Sequence, residues 1–127
     1  MHKQVHSSFA PNAIGPYSQA IEYQRMVFCS GQLGIDPKTG QMASDEIKSQ
    51  TKQVLENLNE VLKAAGSGLN KVVKTEVFLL DLADFDAFNQ TYASFFPAPP
   101  YPARYTVQAA KLPKGARIEI GCTALKY

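Results

Sequence analysis

The chain has 127 residues, 45% of them hydrophobic and 19% charged, a composition that supports one folded domain over residues 1–127 and argues against disorder. Its net charge is only +2, with 13 basic and 11 acidic residues scattered along the chain, so no basic stripe is available to follow a nucleic-acid backbone. No apolar run resembles a signal peptide or approaches the roughly 20 residues of a membrane-spanning helix, so we expect a cytoplasmic protein without a membrane partner.

The N-terminal part of the chain is predicted to be β-structure. Lys3–Ser8 is expected to form a short edge strand, and Pro11–Pro16 is expected to be a loop because it contains two prolines and a glycine. Ser18–Tyr23 and Met26–Ser30 are predicted strands. Asp36–Gly40 is a predicted turn, since proline presets a turn φ and glycine accepts a positive φ.

A helix over Asp45–Ala65 is the clearest predicted element. Ser44 or Asp45 is expected to cap its start, and Gly66 is expected to end it. Its apolar side chains recur every three or four residues and therefore form one stripe along the helix. These side chains are Ile47, Val54, Leu55, Leu58, Val61, Leu62 and Ala65.

The second half of the chain alternates predicted strands and one further helix. Lys71–Leu80 is rich in β-branched residues and is a predicted strand. The helix is predicted from Ala83 or Asp84 to Phe96, and the prolines that follow end it. Arg104–Ala109 and Ala116–Leu125 are the predicted closing strands, separated by a turn at Pro113–Gly115. The helix is expected to bury Phe85, Phe88, Tyr92 and Phe95.

This order of elements, β-β-β-α-β-α-β-β, predicts an α+β fold. Two amphipathic helices that each connect strands are expected to cover one face of a single mixed sheet. Right-handed crossovers would lay the helices side by side. The other face has no helix left to cover it, so we expect the chain to oligomerise through that face.

Several kinds of catalytic site are not predicted. His2 and His6 are the only histidines, and both lie in the N-terminal segment. We therefore expect no Ser-His-Asp or Cys-His arrangement. Cys29 and Cys122 are expected to be buried thiols in a reducing compartment. We predict no metal site and no phosphate-binding loop. An enzyme built from this chain would use carboxylate, guanidinium, hydroxyl and backbone groups.

Two charged residues are candidates for chemistry. Arg104 stands where a rigid proline-rich loop enters a strand, and a guanidinium held there can bind a carboxylate in bidentate fashion. A solvated arginine or a structural ion pair is the alternative. Glu119 alternates with Ile118 and Ile120, so its carboxylate faces away from them and can act as a general base beside a ligand or a water. The alternative is an exposed glutamate on a polar face.

Four further residues are weaker candidates. Gly31 permits close backbone approach, and Ser30 or Tyr17 can orient a small polar substrate. Ordinary turn and strand-end chemistry explains these residues as well. Asn89 can donate a hydrogen bond to a loop or to a partner, or it can be solvated. Taken singly, none of these signals is specific.

Taken together, segments along the whole chain resemble a known family. In this combination and order the chain is similar to the Rid family of reactive-intermediate deaminases (RidA-like), also known as the L-PSP endoribonuclease family. The segments that carry the resemblance are Ala13–Ala20, Ser30–Gln32, Asp36–Gly40, Val72–Thr75, Pro102–Arg104 and Leu112–Ile120.

The resemblance implies a chorismate-mutase-like α+β fold and a homotrimer with clefts between its subunits. It also implies a deaminase that hydrolyses short 2-imino acids, such as 2-iminopropanoate and 2-iminobutanoate, to 2-keto acids and ammonia without a cofactor. In the family, the arginine at the position of Arg104 binds the substrate carboxylate, and the glutamate at Glu119 activates the attacking water. The resemblance places four more residues in the same pocket, namely Tyr17, Ser30, Gly31 and Asn89.

Two positions depart from the family pattern. Thr106 stands where the family often has a cysteine, and because imine hydrolysis does not require that thiol, we expect Thr106 to contact substrate and the reaction to survive. Gly121 stands where a second glutamate is common. Its absence removes a charge near Glu119, which is expected to shift the pKa of Glu119 without removing the base.

Two other functions stay open from the sequence. An endoribonuclease acting on single-stranded RNA, an activity attributed to some family members, is disfavoured because the chain has no paired histidines for acid–base cleavage and no basic groove. A non-enzymatic trimer, either a small-carboxylate-binding regulator or a chaperone-like protein, would need Arg104 but not Glu119. Glu119→Gln therefore separates this reading from the deaminase.

Overall fold

The computed structural model describes residues 1–127 and contains two α-helices, one six-stranded sheet and one two-stranded sheet. The strands of the large sheet lie in the order β1-β2-β3-β8-β6-β7. In chain order the elements are β1 (Lys3–Val5), β2 (Ala20–Tyr23), β3 (Met26–Gln32), β4 (Ile35–Asp36), β5 (Gln41–Met42), α1 (Ile47–Ala64), β6 (Val72–Leu79), α2 (Phe85–Phe95), β7 (Ala103–Gln108) and β8 (Ile118–Leu125).

The large sheet is mixed. Strands β6 and β7 are parallel and are connected through α2, whereas the other neighbouring strands are antiparallel. Both helices pack on the same face, and they contact each other. The predicted α+β fold, its order of six strands and two helices, and the helix-free second face are therefore confirmed.

The core lies between the helices and one face of the sheet. On α1 the predicted apolar stripe is buried except at Ile47, which is partly buried. On α2 two of the four predicted aromatic side chains, Phe88 and Tyr92, are buried, and the other two are partly buried. Alternate residues of β8 complete the core, with Ile118 and Ile120 fully buried beneath the helices. Apolar residues that repeat every 3.6 positions in the helices and every 2 positions in the strands therefore all face this one core layer.

The small hairpin of β4 and β5 was not predicted as strands. Its turn was predicted: the Gly40 amide donates to the Asp36 carbonyl at 2.8 Å, and Gly40 has a φ of 75°. Strands of two residues are too short to show an alternating pattern, so only their turn leaves a signal in the sequence.

The start of α1 differs from the prediction. Neither Ser44 nor Asp45 caps the helix, because Glu46 occupies the N-cap position. The Ser44 hydroxyl instead accepts the Glu46 amide at 3.0 Å, which turns the chain before the helix begins. The predicted end is confirmed: Gly66, at a φ of 80°, donates to the Lys63 carbonyl.

Two other boundaries also differ for local reasons. The α2 helix begins at Phe85, after a 3₁₀ turn at Leu82–Asp84. Strand β1 ends at Val5 rather than Ser8, because the Ser7 amide donates to a side chain instead of a neighbouring strand. The remaining predicted strand ends agree with the structure within two residues.

The uncovered face of the large sheet is strongly apolar. Its exposed side chains include Tyr23, Phe28, Tyr105, Val107 and Leu125, each between 40% and 46% exposed. An apolar surface spread over several strands is unusual for a face in contact with water.

Neither α1 nor α2 has both the length and the apolar composition of a membrane-spanning helix.

Because Leu58 is buried where α1 meets the sheet, Leu58→Ala is expected to lower the free energy of unfolding by about 3 kcal/mol through lost contacts and a residual cavity. Chemical denaturation at one fixed protein concentration measures this change. Lys52→Ala, on the exposed side of the same helix, is the control and should change stability by less than about 0.5 kcal/mol. Equal effects of the two substitutions would contradict this packing.

Candidate active site

Glu119 lies on β8 with its side chain on the helix-free face of the sheet. Ile118 and Ile120 fill the helix side of the same strand, so alternation directs Glu119 the other way. The carboxylate is half-buried and forms no salt bridge. Burial raises the pKa of Glu119 above the ordinary value for glutamate. A carboxylate in this environment is a stronger base than an exposed one.

The neighbouring strand β3 makes space for this carboxylate. Strand β3 extends to Gln32, two residues beyond its predicted end, and its pairing with β8 shifts between Cys29 and Gln32. Ser30 and Gly31 therefore form a bulge beside Glu119. A Cβ on Gly31 would overlap Oε2 of Glu119 and would lie only 2.9 Å from its Cδ. The carboxylate can occupy this position only because residue 31 has no side chain.

The loop that carries Tyr17 is fastened to the sheet by buried side chains. Gln19 donates to the carbonyl oxygens of Pro11 at 2.7 Å and Ser7 at 3.1 Å, and it accepts the Ser7 amide at 2.7 Å. The Ser30 hydroxyl donates to the Ser18 carbonyl at 2.6 Å. Tyr17 itself is half-exposed. The loop is thus held in place while the Tyr17 ring stays accessible.

A cavity of about 820 Å³ lies between this loop, the β3 bulge, the β4–β5 hairpin and the turn before β8. Tyr17, Ser30, Gly31 and Glu119 all line it. Lys114, on the turn, is the other charged residue on its wall. The cavity thus brings together four of the predicted site residues beside one ionisable carboxylate.

Arg104 occupies a different environment, on β7 and on the helix side of the sheet. Its guanidinium carbon lies 5.7, 5.3 and 4.8 Å from the ring centroids of Phe85, Phe88 and Tyr92. One guanidinium nitrogen donates to the Asn89 side-chain oxygen at 2.8 Å. Cation–π contacts and this hydrogen bond fix the plane of the guanidinium without neutralising its charge. Arg104 is therefore neither freely solvated nor ion-paired.

Arg104 and Asn89 line a second cavity, of about 530 Å³, together with Tyr101 and Pro102. The buried ring of Tyr92 forms part of its wall, and the Tyr92 hydroxyl shares a hydrogen bond of 2.8 Å with Thr75. Burial raises the pKa of Tyr92. The second cavity thus offers a positive, planar donor group surrounded by uncharged side chains.

A single chain does not bring Arg104 and Glu119 together. In the register of the sheet, Arg104 is paired with Thr75, which faces the helices, whereas Glu119 is paired with Phe78 on the opposite face. The predicted site residues therefore divide into two groups. Tyr17, Ser30, Gly31 and Glu119 line the first cavity, and Asn89 and Arg104 line the second.

Thr106 lies two residues after Arg104, on the same side of β7 and opposite Val77. It lines neither of the two cavities. Its hydroxyl is the one buried side-chain polar atom that has no hydrogen-bond partner. An unpaired buried hydroxyl destabilises the chain by roughly 1–3 kcal/mol.

Glu76 was missed by sequence reasoning. It faces the helix-free side of β6 directly opposite Gly121, and its Oε1 lies 3.6 Å from the point where a Gly121 Cβ would stand. Its other oxygen accepts a hydrogen bond from the Tyr105 hydroxyl at 3.1 Å. A carboxylate therefore stands beside Gly121 even though residue 121 has no side chain. Only the strand register places Glu76 there.

No three His, Cys, Asp or Glu side chains converge as a metal site would require.

Among known protein families, the family model of the endoribonuclease L-PSP proteins matches residues 7–126 of this chain. The chain belongs to the Rid (L-PSP) family. This assignment confirms the resemblance that the sequence segments indicated.

Individual relatives of this Rid protein extend over almost all of the chain. Reactive Intermediate Deaminase A, chloroplastic, from Arabidopsis thaliana is 52% identical over 120 residues, which are 94% of this chain and 64% of that protein. The 2-iminobutanoate/2-iminopropanoate deaminase of Homo sapiens is 44% identical over 126 residues, which are 99% of this chain and 91% of that protein. A solved endoribonuclease L-PSP structure from Entamoeba histolytica has a TM-score of 0.94 at 50% identity, covering 98% of this chain and 99% of its own.

Because burial raises the folded-state pKa of Glu119, its protonated form contributes stability that is lost as the pH rises through that pKa. Glu119→Gln removes the buried charge, so we expect a higher Tm than wild type at pH 7. At pH 4, below the ordinary glutamate pKa of about 4.3, the two proteins should have nearly equal Tm values.

Thermal unfolding at the two pH values measures this difference. Glu56→Gln, on the exposed side of α1, is the matched control and should leave the Tm unchanged at both. The same Tm for wild type and Glu119→Gln at pH 7 would show that Glu119 is as well solvated as a surface carboxylate.

Proposed function

We propose that the chain hydrolyses short 2-imino acids, such as 2-iminopropanoate and 2-iminobutanoate, to 2-keto acids and ammonia. The observation that carries this proposal is the Arg104 guanidinium, held flat by aromatic rings and Asn89 and left without a carboxylate partner. Two of its relatives, at 52% and 44% identity, are named for deaminases of this kind, which supports the same reaction here.

In the proposed reaction, Arg104 binds the substrate carboxylate through two parallel hydrogen bonds from its guanidinium group. Holding one end of a three- or four-carbon acid leaves little freedom at the neighbouring imine carbon. The activation barrier then falls, because the translational and rotational entropy of bringing water and the imine carbon together has already been lost on binding. Asn89 keeps the guanidinium in its plane because its side-chain oxygen accepts a hydrogen bond from Arg104.

Glu119 is the proposed general base. Its raised pKa moves its basicity toward the working pH, where it removes a proton from the attacking water. Water adds to the imine carbon, and the resulting carbinolamine expels ammonia once the proton has reached nitrogen. Each tenfold acceleration requires about 1.4 kcal/mol of transition-state stabilisation. A positioned carboxylate and a few hydrogen bonds supply that order of energy for an imine that also hydrolyses spontaneously.

The proposed active site is composite. Because Arg104 and Glu119 lie on opposite faces of the sheet, the first cavity of one copy must meet the second cavity of another. A cyclic homotrimer in which each contact joins two different patches has one such cleft per contact. The apolar helix-free face and the open edge of β7 are the surfaces that this association would cover.

The proposed setting is a single Rid-type domain over residues 1–127 that acts in the cytoplasm. Cys29 and Cys122 are directly opposite each other on β3 and β8, and both are free thiols. Two adjacent thiols are compatible with a reducing compartment.

Keto-acid formation from 2-iminobutanoate, generated in situ by a threonine dehydratase, tests the proposed reaction. Glu119→Gln is expected to lower kcat about 100-fold with little change in KM, because the base acts on water rather than on substrate binding. Arg104→Ala should lower kcat/KM by a similar factor and raise KM. Arg25→Ala, at an exposed arginine on another loop, is the control.

The rates are compared with the spontaneous hydrolysis in a protein-free reaction. Full activity of Glu119→Gln would show that Glu119 is not the base. Carboxylate binding that depends on Arg104, without acceleration by wild type, would favour a carboxylate-binding protein without catalysis. No acceleration by folded wild type would refute the deaminase.

Mixing two inactive variants tests the composite site. When Arg104→Ala and Glu119→Gln chains are co-expressed in equal amounts, about one quarter of the clefts in random trimers should combine an intact Arg104 with an intact Glu119. Activity should return to about that fraction of wild type, although each variant alone is about 100-fold less active than wild type. If both residues act within one chain, co-expression restores nothing.

A further inference from the structure

Lys114 is the one charged residue on the wall of the Glu119 cavity that the proposed reaction does not use. It belongs to the Pro113–Gly115 turn, directly before β8. The other lining residues apart from Glu119 are uncharged. The cavity therefore contains one anionic and one cationic side chain.

The ammonium group of Lys114 has no partner within the chain. The three salt bridges of the structure use Lys63, Arg117 and Lys126. Lys114 is exposed, and no salt bridge joins it to Glu119. Its charge is thus available to a different part of a bound molecule.

The backbone of Lys114 is held in an unfavourable conformation. Its φ of 58° and ψ of 26° lie in the left-handed region, which glycine adopts far more easily than lysine. Gly115, the next residue, has a φ of 66°. Residues in strained backbone conformations cluster at ligand-binding and active sites, and Lys114 lies on the wall of such a candidate site.

The cavity is also larger than short imino acids need. Its volume of about 820 Å³ is near the upper end of the roughly 300–1,000 Å³ found for drug-sized ligands. A three- or four-carbon acid would fill only part of this volume. A substrate with a second anionic group would reach further.

We propose that Lys114 binds a second carboxylate at the far end of the substrate, so that the cavity also accepts dicarboxylic 2-imino acids such as 2-iminosuccinate. This inference rests on the proposed deaminase function. Water adds to the C=N bond, the carbinolamine loses ammonia, and 2-iminosuccinate plus water gives oxaloacetate plus ammonia. Lys114 offsets the repulsion between the substrate's second charge and Glu119.

The test compares kcat/KM for two substrates, 2-iminosuccinate generated from aspartate by an aspartate oxidase and 2-iminobutanoate generated by a threonine dehydratase. In Lys114→Met the ratio of kcat/KM for 2-iminosuccinate to that for 2-iminobutanoate is expected to fall about tenfold, since one charge-assisted contact is lost. Lys114→Glu should lower the ratio further, and Lys114→Arg should retain most of it.

Lys111→Met is the matched control, because Lys111 is exposed on the same segment but does not line the cavity. It should leave the ratio unchanged. Lys114→Gly separates binding from folding: glycine takes the positive φ without strain, so this variant should be at least as stable as wild type and still show the lowered ratio.

An unchanged ratio in Lys114→Met and Lys114→Gly would overturn the inference, whether or not overall activity falls. Wild type that accelerates 2-iminobutanoate hydrolysis but not 2-iminosuccinate hydrolysis would overturn it while leaving the proposed function intact. Wild type inactive toward both would overturn the proposed function and this inference with it.

Discussion

The carboxylate of Glu119 lies directly against the backbone of Gly31, and the arrangement of the candidate site depends on this contact. The contact requires the bulge in β3, since a regular strand would not place Ser30 and Gly31 together opposite β8. The bulge in turn fixes the loop before β2, because the Ser30 hydroxyl and amide bond to that loop. Burial of the carboxylate, its raised pKa and the position of the cavity all follow from this local geometry.

The second half of the candidate site uses the hydrophobic core directly. Phe85, Phe88 and Tyr92 repeat at the helical spacing that buries one face of α2, and their rings also surround the Arg104 guanidinium. Tight packing of these rings limits the orientations open to the guanidinium. A change in the core of α2 would therefore be felt at Arg104 even if no polar contact were altered.

Sequence reasoning recovered those parts of the fold that depend on periodicity. The stripe on α1 and the alternation along β8 identified the buried faces, because each pattern repeats several times within one element. The β4–β5 hairpin and the start of α1 were missed or misplaced, since two-residue strands have no period and Ser44 bonds to the turn. The alternation along β8 also correctly predicted that the Glu119 side chain faces away from Ile118 and Ile120.

The relation between Arg104 and Glu119 could not be predicted in the same way. Their placement on opposite faces depends on the register of β6 with β7 and of β6 with β8, which no single strand contains. Glu76 beside Gly121 depends on the same register. Gln19 makes three hydrogen bonds to backbone atoms, and these bonds order the cavity loop during folding. The conformational entropy of that loop is therefore lost before any ligand arrives, and binding there needs little further ordering.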